Sequence, residues 1–303
     1  MKKIKLIFNP ASDRGRSGQK ASDLQALVEQ HGGADWAGTK YPGHAVEIAA
    51  HAGRQGYDTV VALGGDGTVH EVVNGLMQLP IDQRPALGVV PIGSGNDFAF
   101  SSGLEMDAQR AMIRIFAGEA SPIDIGLITD GSGRAEYFDN SAGFLLDAAV
   151  NLESRKITRL YGFLMYLVAA IRSIINHYET TTIKFNIDGK ESTRGLLMFT
   201  VGNGHREGGG FQVTPSAKNN DGIFDYLMLD PISRPMMFRV LPEVMAGTHE
   251  RHSFVETSTF KKMNFEADRA MPIHLDGEVW APYEANIRKI SVEIIPSAVR
   301  LVR

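Results

Sequence analysis

The sequence lacks cysteine altogether among its 303 residues. This excludes disulfides, cysteine-ligated zinc and a thiol nucleophile, and it fits a reducing compartment such as the cytoplasm. Long apolar runs are also lacking, since the longest, at 160–171, falls well short of the roughly 20 residues that a bilayer span needs. The apolar stretch at 4–8 is too short for the core of a signal peptide. We therefore expect a cytoplasmic protein without a membrane-spanning segment.

Basic residues are not in excess either. The sequence has 31 Lys and Arg against 35 Asp and Glu, a formal net charge of −4. Binding to nucleic acid through phosphate contacts needs a basic surface, so we expect no nucleic-acid partner. Hydrophobic residues at 43% and charged residues at 22% are typical of a folded globular protein. At about 150 residues per domain, the length predicts two domains.

The first 125 residues alternate short apolar runs with longer amphipathic ones. Strands are predicted at 4–8, 58–63 and 86–91, and helices at 15–31, 44–55, 68–79 and 107–118. Each strand leads into a loop of Gly, Ser, Asn or Asp and then into a helical pattern. This alternation is typical of a parallel sheet with helical crossovers.

From about residue 123 the pattern changes to strands and turns, apart from one long helix that we predict at 151–178. Further strands are predicted at 182–187, with Asp188-Gly189-Lys190 as a hairpin turn, and at 195–202, 222–229 and 287–295. The sequence therefore predicts a mostly β second domain, with the boundary near residue 125.

Glycine makes up about a tenth of the chain, 32 residues, against a usual share of roughly 7%. One cluster, Gly64-Gly65-Asp66-Gly67-Thr68, follows an apolar strand and opens a helix, where backbone amides and the helix dipole favour phosphate. It has neither the spacing of the dinucleotide fingerprint nor the Lys-Ser/Thr of the Walker loop. A tight turn is the simpler reading of a lone Gly-Gly. An acid among three glycines indicates instead that Asp66 meets a metal or a reacting hydroxyl.

Two further loops follow predicted strands in the same way. The loop at 91–99 contains Ser94 and Asp97, whose simpler readings are a turn hydroxyl and a helix cap. The loop at 9–18 contains Arg14 and Arg16, which suit phosphate oxygens but are more simply read as solvated charges. Loops at the carboxyl ends of neighbouring strands predict a crevice for a ligand.

Together these motifs resemble the diacylglycerol kinase catalytic-domain family, in its bacterial soluble lipid kinase branch. The matching segments occur in order and at suitable spacing: Asn9-Pro10, Thr39 with 42–45, 64–68, 93–99, 122–126, 202–204, 208–211, 215–217, 221–223 and 276–278. Gly-Gly-Asp-Gly-Thr alone is weak, because NAD kinases and phosphofructokinases carry similar loops. The ordered set spans nearly the whole chain and is specific.

The resemblance implies an amino-terminal Rossmann-like parallel α/β domain that binds nucleotide, at 1–125. It implies a carboxyl-terminal β-sandwich that binds lipid, at 126–295, and an active site in the cleft between the two. In the family the extreme carboxyl terminus returns to the first domain, so 296–303 is assigned there. The implied activity is transfer of the γ-phosphate of ATP to a hydroxyl of a membrane lipid such as diacylglycerol.

The resemblance also implies roles for particular residues. ATP would contact Asn9, Thr39, Gly64, Gly65, Asp66, Gly67, Thr68, Ser94 and Asn96; family members commonly have Thr where this chain has Ser94. A structural magnesium ion would bind the Asp221 side chain and the carbonyls of Lys218 and Ile223. Catalytic magnesium would be held by Asp66, Asp97 and Asp124. The proton acceptor is implied to be Glu278 or Asp276, and we favour Glu278.

Alternatives stay open at this stage. The chain could phosphorylate a soluble acceptor, as NAD kinases do, or bind nucleotide as a regulatory module without turnover. A lipid kinase must meet its substrate at a membrane surface, and 154–178, which combines basic residues with a very apolar middle, predicts a transient contact at the inner face. A helix buried against the sandwich is the competing reading. A homodimer is one oligomeric state that the sequence allows.

Overall fold

The computed structural model describes residues 2–10 and 16–303. The chain divides into two compact units, one of Met1–Ile125 with Pro296–Arg303, the other of Gly126–Ile295. Two strands pass through the division points, Ala120–Asp130 and Lys289–Val302. Each unit is described by itself below.

The first unit alternates strands and helices. Its elements are β1 (Ile4–Phe8), α1 (Arg16–Asp23), α2 (Gln25–Gln30), β2 (Asp35–Gly38), α3 (His44–Arg54), β3 (Thr59–Gly64), α4 (Asp66–Leu76), β4 (Ala86–Pro91), α5 (Asp97–Ser101) and α6 (Ala108–Ala117). The strands pair in parallel in the order β2-β1-β3-β4. Near the carboxyl terminus, Leu301 pairs in parallel with Leu87 of β4. The predicted parallel α/β architecture is confirmed.

Burial explains why these segments form the centre of the sheet. Every residue of β3 and of β4 is buried, which is typical of parallel strands covered by helices on both faces. Among the described residues, the segment predicted as one helix at 15–31 forms two helices, α1 and α2. The chain turns between them at Leu24, whose side chain is buried beside Val28.

The second unit is mostly β. Its elements are β5 (Ala120–Asp130), β6 (Ala135–Phe138), β7 (Ser141–Leu145), α7 (Leu146–Ser154), α8 (Gly162–Asn176), β8 (Thr181–Ile187), β9 (Lys190–Leu196), β10 (Met198–Gly202), β11 (Phe224–Leu229), α9 (Arg234–Ala246), β12 (Val255–Phe260), β13 (Lys262–Ala267), β14 (Ile273–Leu275), β15 (Glu278–Ala281) and β16 (Lys289–Val302).

Two sheets of this unit enclose one core. The first has the order β12-β11-β10-β7-β14-β15, and the second contains β16-β13-β8-β9. Between them the ring of Phe199 lies 5.4 Å from those of Phe185 and Phe265, centroid to centroid. This is the predicted β-sandwich. The predicted hairpin turn is also confirmed, since Asp188 and Gly189 both have positive φ, as a tight two-residue turn requires.

Two predictions about helices in this unit were wrong. The single helix expected at 151–178 is divided into α7 and α8, and the chain is redirected at Gly162, whose φ is +52°. The helix α9 was read as strands and turns. Its Pro235 lies in the first turn, where no backbone donor is needed, and Pro242 lies inside the helix. Among the described residues, no helix has both the length and the apolar character that a membrane crossing requires.

Candidate active site

The first group of predicted site residues lies at the carboxyl ends of the parallel strands. Asn9 follows β1, and Thr39, which follows β2, donates its backbone N–H to the carbonyl of Phe8 at 2.9 Å. Gly65 follows β3 and Ile92 follows β4. Because β1 to β4 run in parallel, these four positions share one edge of the sheet, where open α/β sheets bind their ligands.

The two glycine-rich loops on this edge touch each other through their backbones. A Cβ on Gly93 would lie 2.4 Å from the Cα of Gly65, and one on Gly65 would lie 3.1 Å from the Cα of Gly93. The N–H of Ile92 donates to the carbonyl of Gly64 at 3.0 Å. Close approach of the two backbones therefore requires glycine at 93 and leaves little room for a side chain at 65.

Asn96 shapes the second loop from within. It has a left-handed backbone, with φ +56°, and its side-chain oxygen accepts the N–H of Gly93 at 3.0 Å. The side-chain amide in turn donates to the Gly93 carbonyl at 3.0 Å. Ser94 lies exposed between these two residues. The loop thus presents Ser94 on a backbone that Asn96 holds in place.

Two carboxylates lie beside the junction of the loops. Asp66, the first residue of α4, accepts the N–H of Phe98 at 3.0 Å through Oδ1. A Cβ on Gly95 would lie 2.9 Å from Asp66 Oδ2 and 3.3 Å from Asp97 Oδ2. Because Gly95 has no side chain, the space between Asp66 Oδ2 and Asp97 Oδ2 at this position is not filled by a Cβ. Carboxylate oxygens are the ligands that magnesium prefers, so this pair fits such an ion.

Neighbouring residues of α4 support the loops. The Thr68 side chain lies over Gly64, where a Cβ would be 2.3 Å from its Oγ1, and Gly67 completes the first turn. Glu71 accepts the N–H groups of Gly43 and Ala45, each at 3.0 Å, and so fixes the start of α3. Sequence reasoning missed Glu71, because a helical Glu without a partner motif gives no signal.

Asp124 has a different set of contacts. It lies on β5, is 2% exposed, and accepts the backbone N–H of Ser297 at 2.7 Å. It therefore ties the carboxyl-terminal segment 296–303 to the first unit. Its predicted role as a magnesium ligand stays a prediction. Arg14 lies outside the described residues, and the described backbone of α1 begins at Arg16.

In the second unit, Asp276-Gly277 forms the turn between β14 and β15, with φ values of +50° and +82°. Asp276 is 6% exposed, and its carboxylate accepts hydrogen bonds from three consecutive backbone N–H groups at 2.8 to 3.0 Å. The donors are Asp139, Asn140 and Ser141. Asp276 is thus a structural anchor for the turn.

Glu278 stands in contrast, at the solvent-facing start of β15. Its side chain is 57% exposed and forms an ion pair of 2.7 Å with Arg155 Nη2. Exposed ion pairs contribute about 0–1 kcal/mol, so this contact exchanges readily. Of the two candidate proton acceptors, Glu278 is the more accessible, and Arg155 is a neighbour that sequence reasoning did not connect with it.

A buried histidine lies behind the same turn. His274 on β14 is 1% exposed, its Nε2 lies 3.4 Å from Asp147 Oδ2, and the N–H of Gly277 donates to its Nδ1 at 3.4 Å. Burial lowers its pKa, but Asp147, and more weakly Glu207 and Asp276, raise it, with a net increase to about 8. No metal-ligand spacing surrounds this histidine in the sequence, so sequence reasoning missed it.

The predicted structural magnesium residues lie in the segment before β11. Asp221 Oδ1 accepts the N–H of Ile223 at 3.3 Å, and Gly222 between them has φ +77°. Burial, Asp221 and Glu250 raise the pKa of Asp225 to about 6, against a lowering by Lys218. Such a concentration of carboxylates favours a bound cation, and these oxygen donors fit magnesium.

The outer surface of α8 is unusually apolar. Its inner side, including Ile174, packs on the six-stranded sheet together with Phe211 and Leu227. Leu164, Ile171 and Ile175 are exposed on the other side, by 57%, 37% and 55%. One side of this helix is thus buried and the other faces solvent, and the transient membrane contact stays a prediction.

Comparisons with known proteins point in one direction. Residues 3–128 match the family model "Diacylglycerol kinase catalytic domain", and residues 140–303 match "YegS C-terminal NAD kinase beta sandwich-like domain". A diacylglycerol kinase of Bacillus subtilis (strain 168) is 30% identical over 282 residues, which cover 92% of this chain and 90% of the relative. A protein of Chromohalobacter salexigens named as a YegS-like lipid kinase is 33% identical over 237 residues, 78% of this chain and 74% of the relative.

Solved structures share the fold. A crystal structure of a diacylglycerol kinase from Bacillus anthracis str. Sterne superposes with a TM-score of 0.73 at 19% identity, over 99% of this chain and 96% of the other. A second structure from that organism gives a TM-score of 0.81 at 21% identity, over 99% and 95% of the two chains.

Proposed function

The chain belongs to the diacylglycerol kinase family, and from this membership we propose that it is an ATP-dependent lipid kinase, a phosphotransferase with an alcohol acceptor. The acceptor is a hydroxyl of a membrane lipid such as diacylglycerol. The observation that carries the proposal is the junction of two glycine loops at a parallel sheet edge, with the carboxylates of Asp66 and Asp97 beside it.

The first unit is assigned the nucleotide. The backbone N–H groups of the loop at 64–68 and the start of α4 favour phosphate, and the glycines allow close approach. Asn9, Thr39, Ser94 and Asn96 border the same edge. Magnesium bound by Asp66 and Asp97 would neutralise charge on the phosphates of ATP. Asp124 is assigned a supporting role in holding that ion.

The second unit is assigned the proton acceptor. In the proposed step the lipid hydroxyl oxygen bonds to the γ-phosphorus of ATP, the bond from that phosphorus to the bridging oxygen breaks, and ADP leaves. The hydroxyl proton passes to the Glu278 carboxylate, which is exposed and pairs with Arg155. The Asp276 carboxylate stabilises the turn between β14 and β15. Asp221, with carbonyls of Lys218 and Ile223, would hold a structural magnesium ion.

Contact with a membrane is proposed through the outer side of α8. The apolar Leu164, Ile171 and Ile175 are exposed there, and exposed Arg159 and Arg172 lie close to them along the chain. Such a combination suits the headgroup boundary of an anionic membrane. Since the whole chain carries −4, the attraction is local. The protein would then act as a peripheral enzyme at the cytoplasmic face.

The decisive experiment is a kinase assay with labelled ATP, magnesium and detergent-solubilised diacylglycerol, monoacylglycerol, sphingosine and phosphatidylglycerol, with NAD as a soluble acceptor. We expect phosphorylation of at least one lipid and none of NAD. Glu278→Gln should lose at least roughly a hundredfold in kcat while it keeps ATP affinity. The exposed Glu284→Gln, six positions further along the chain, is the matched control and should match the parent. Phosphorylation of NAD alone, or ATP binding without any turnover, would refute the proposal.

A further inference from the structure

The pair formed by His274 and Asp147 is buried between α7 and the six-stranded sheet, on the face of that sheet opposite the sandwich core, to which Ile273 and Leu275 contribute. On the neighbouring strand, Gly143 is the register partner of His274, and a Cβ there would lie 2.1 Å from His274 Nε2 and 2.3 Å from Asp147 Oδ2. Any side chain at 143 would displace the pair. Asp147 also accepts the hydroxyl hydrogen of Thr200. The pair is therefore a fixed arrangement, since glycine leaves the space and a hydroxyl orients the carboxylate.

The two ring nitrogens of His274 face different groups. Nε2 faces the Asp147 carboxylate at 3.4 Å, and Nδ1 faces the backbone N–H of Gly277 at 3.4 Å. Nδ1 can accept from Gly277 only when it carries no hydrogen, which places the proton of a neutral ring on Nε2, toward Asp147. One tautomer thus lets Nδ1 accept from Gly277 while the hydrogen on Nε2 faces the carboxylate.

We propose that His274 is a positioning residue for phosphoryl transfer: held by Asp147 at one nitrogen, it fixes the backbone of Gly277 with the other and so sets the position of Glu278. This inference rests on the proposed function, in which Glu278 accepts the proton. The turn then has two independent supports. The Asp276 carboxylate holds its first residue to the segment 139–141, and the His274 ring holds its second.

The arrangement makes the support depend on pH. The charged groups that face the ring are Asp147 from α7, Glu207 from the segment after β10, and Asp276 from the turn itself. They favour the cationic ring and raise its pKa to about 8. When the ring is cationic, Nδ1 carries a hydrogen and cannot accept from Gly277. Turnover should therefore rise with pH through about 8, as the neutral ring takes up its contact.

Two variants separate the two contacts. His274→Asn keeps an acceptor at the place of Nδ1 and removes the titrating ring, whereas His274→Gln keeps a polar atom near Asp147 and removes the acceptor for Gly277. We expect His274→Asn to keep kcat within about threefold of the parent at pH 9 and to lose the rise near pH 8. We expect His274→Gln to lose roughly tenfold or more in kcat, with an unchanged KM for ATP.

Asp147→Asn tests the same pair from the other side. Removal of this carboxylate takes away the main attraction for the proton on His274, so the rise in kcat should move to lower pH. Equal pH profiles in the parent, His274→Asn and Asp147→Asn, each folded by its unfolding transition, would overturn the inference. So would a His274→Gln variant as active as the parent.

Failure of this inference can be told apart from failure of the proposed function. If the parent phosphorylates lipid and Glu278→Gln does not, while the His274 variants behave as the parent, only the positioning role fails. A readout that needs no turnover is the amide resonance of Gly277. It should titrate near pH 8 in the parent and not in His274→Asn; a resonance that does not titrate in the parent would overturn the inference whatever the activity.

Discussion

Asp66 joins the two glycine-rich loops, because its Oδ1 accepts the backbone N–H of Phe98 at 3.0 Å, 32 positions further along the chain. The same carboxylate leaves its Oδ2 beside Gly95, next to that of Asp97. Oδ1 thus accepts from the second loop, and Oδ2 flanks the point where a cation fits. The two functions of this side chain can be separated by substitution.

Asp66→Asn should abolish turnover without unfolding the protein. An amide oxygen can still accept from Phe98, while the negative charge for magnesium is lost, so we expect kcat to fall by at least roughly a hundredfold. Steady-state kinetics over a range of magnesium concentrations measures the effect. Asp107→Asn is the control, since Asp107 caps α6 through Arg110 and Asn caps equally well. Full activity of Asp66→Asn would remove Asp66 from the site.

Gly93→Ala should force the two loops apart. Its Cβ would lie 2.4 Å from the Cα of Gly65, a backbone atom that cannot turn away, so we expect a loss of about 1–3 kcal/mol in the free energy of unfolding and weaker ATP binding. Urea unfolding and nucleotide titration measure both. Gly18→Ala is the matched control: the nearest atom to its Cβ is 3.9 Å away, and it lies in α1. If both variants bind ATP like the parent, the loop contact does not matter for the nucleotide.

The outer side of α8 can be tested with vesicles. Leu164→Glu combined with Ile175→Glu replaces two exposed apolar side chains by acids, and burial of each is worth about 1.5–3 kcal/mol, so co-sedimentation with anionic vesicles should fall by at least roughly tenfold. Leu167 is unsuitable for such a test, because it packs against the core. Ile81→Glu with Ile113→Glu, both exposed in the first unit, is the control. Equal binding by the two double variants would exclude α8 as the contact.

The His274 pair also predicts how stability changes with pH. The pKa of His274 is 6.5 in the unfolded chain and about 8 in the folded protein. Burial lowers this pKa, but attraction by Asp147 raises it by more. A raised folded-state pKa stabilises the protein fully below pH 6.5, and this contribution is lost as the pH rises through 8. We therefore compare the free energy of unfolding of the parent with that of His274→Asn. The advantage of the parent should be larger at pH 6 than at pH 9, by roughly 2 kcal/mol. A difference that is constant with pH, measured by urea unfolding, would contradict the shift.

Much of the fold follows from the sequence alone. The apolar runs that became β1, β3 and β4, and the glycine loops after them, are local signals, because strand burial and close backbone approach restrict residue types over a few positions. The ordered motifs then identified the family. The helices of the second unit were less clear, since the apolar run at 160–171 continues across Gly162 and the prolines of α9 hide a helical pattern.

What the sequence by itself determined is therefore which residue types stand at strand ends and turns, where local backbone geometry decides. Only the tertiary structure decided which of those residues meet. It placed Gly65 against Gly93, gave Asp276 three backbone donors and left Glu278 exposed, and brought His274 between Asp147 and Gly277. Apart from the contact of His274 with Gly277, three positions on, these contacts join positions far apart in the chain. Nothing in the composition of either partner specifies the other, because packing in three dimensions selects them.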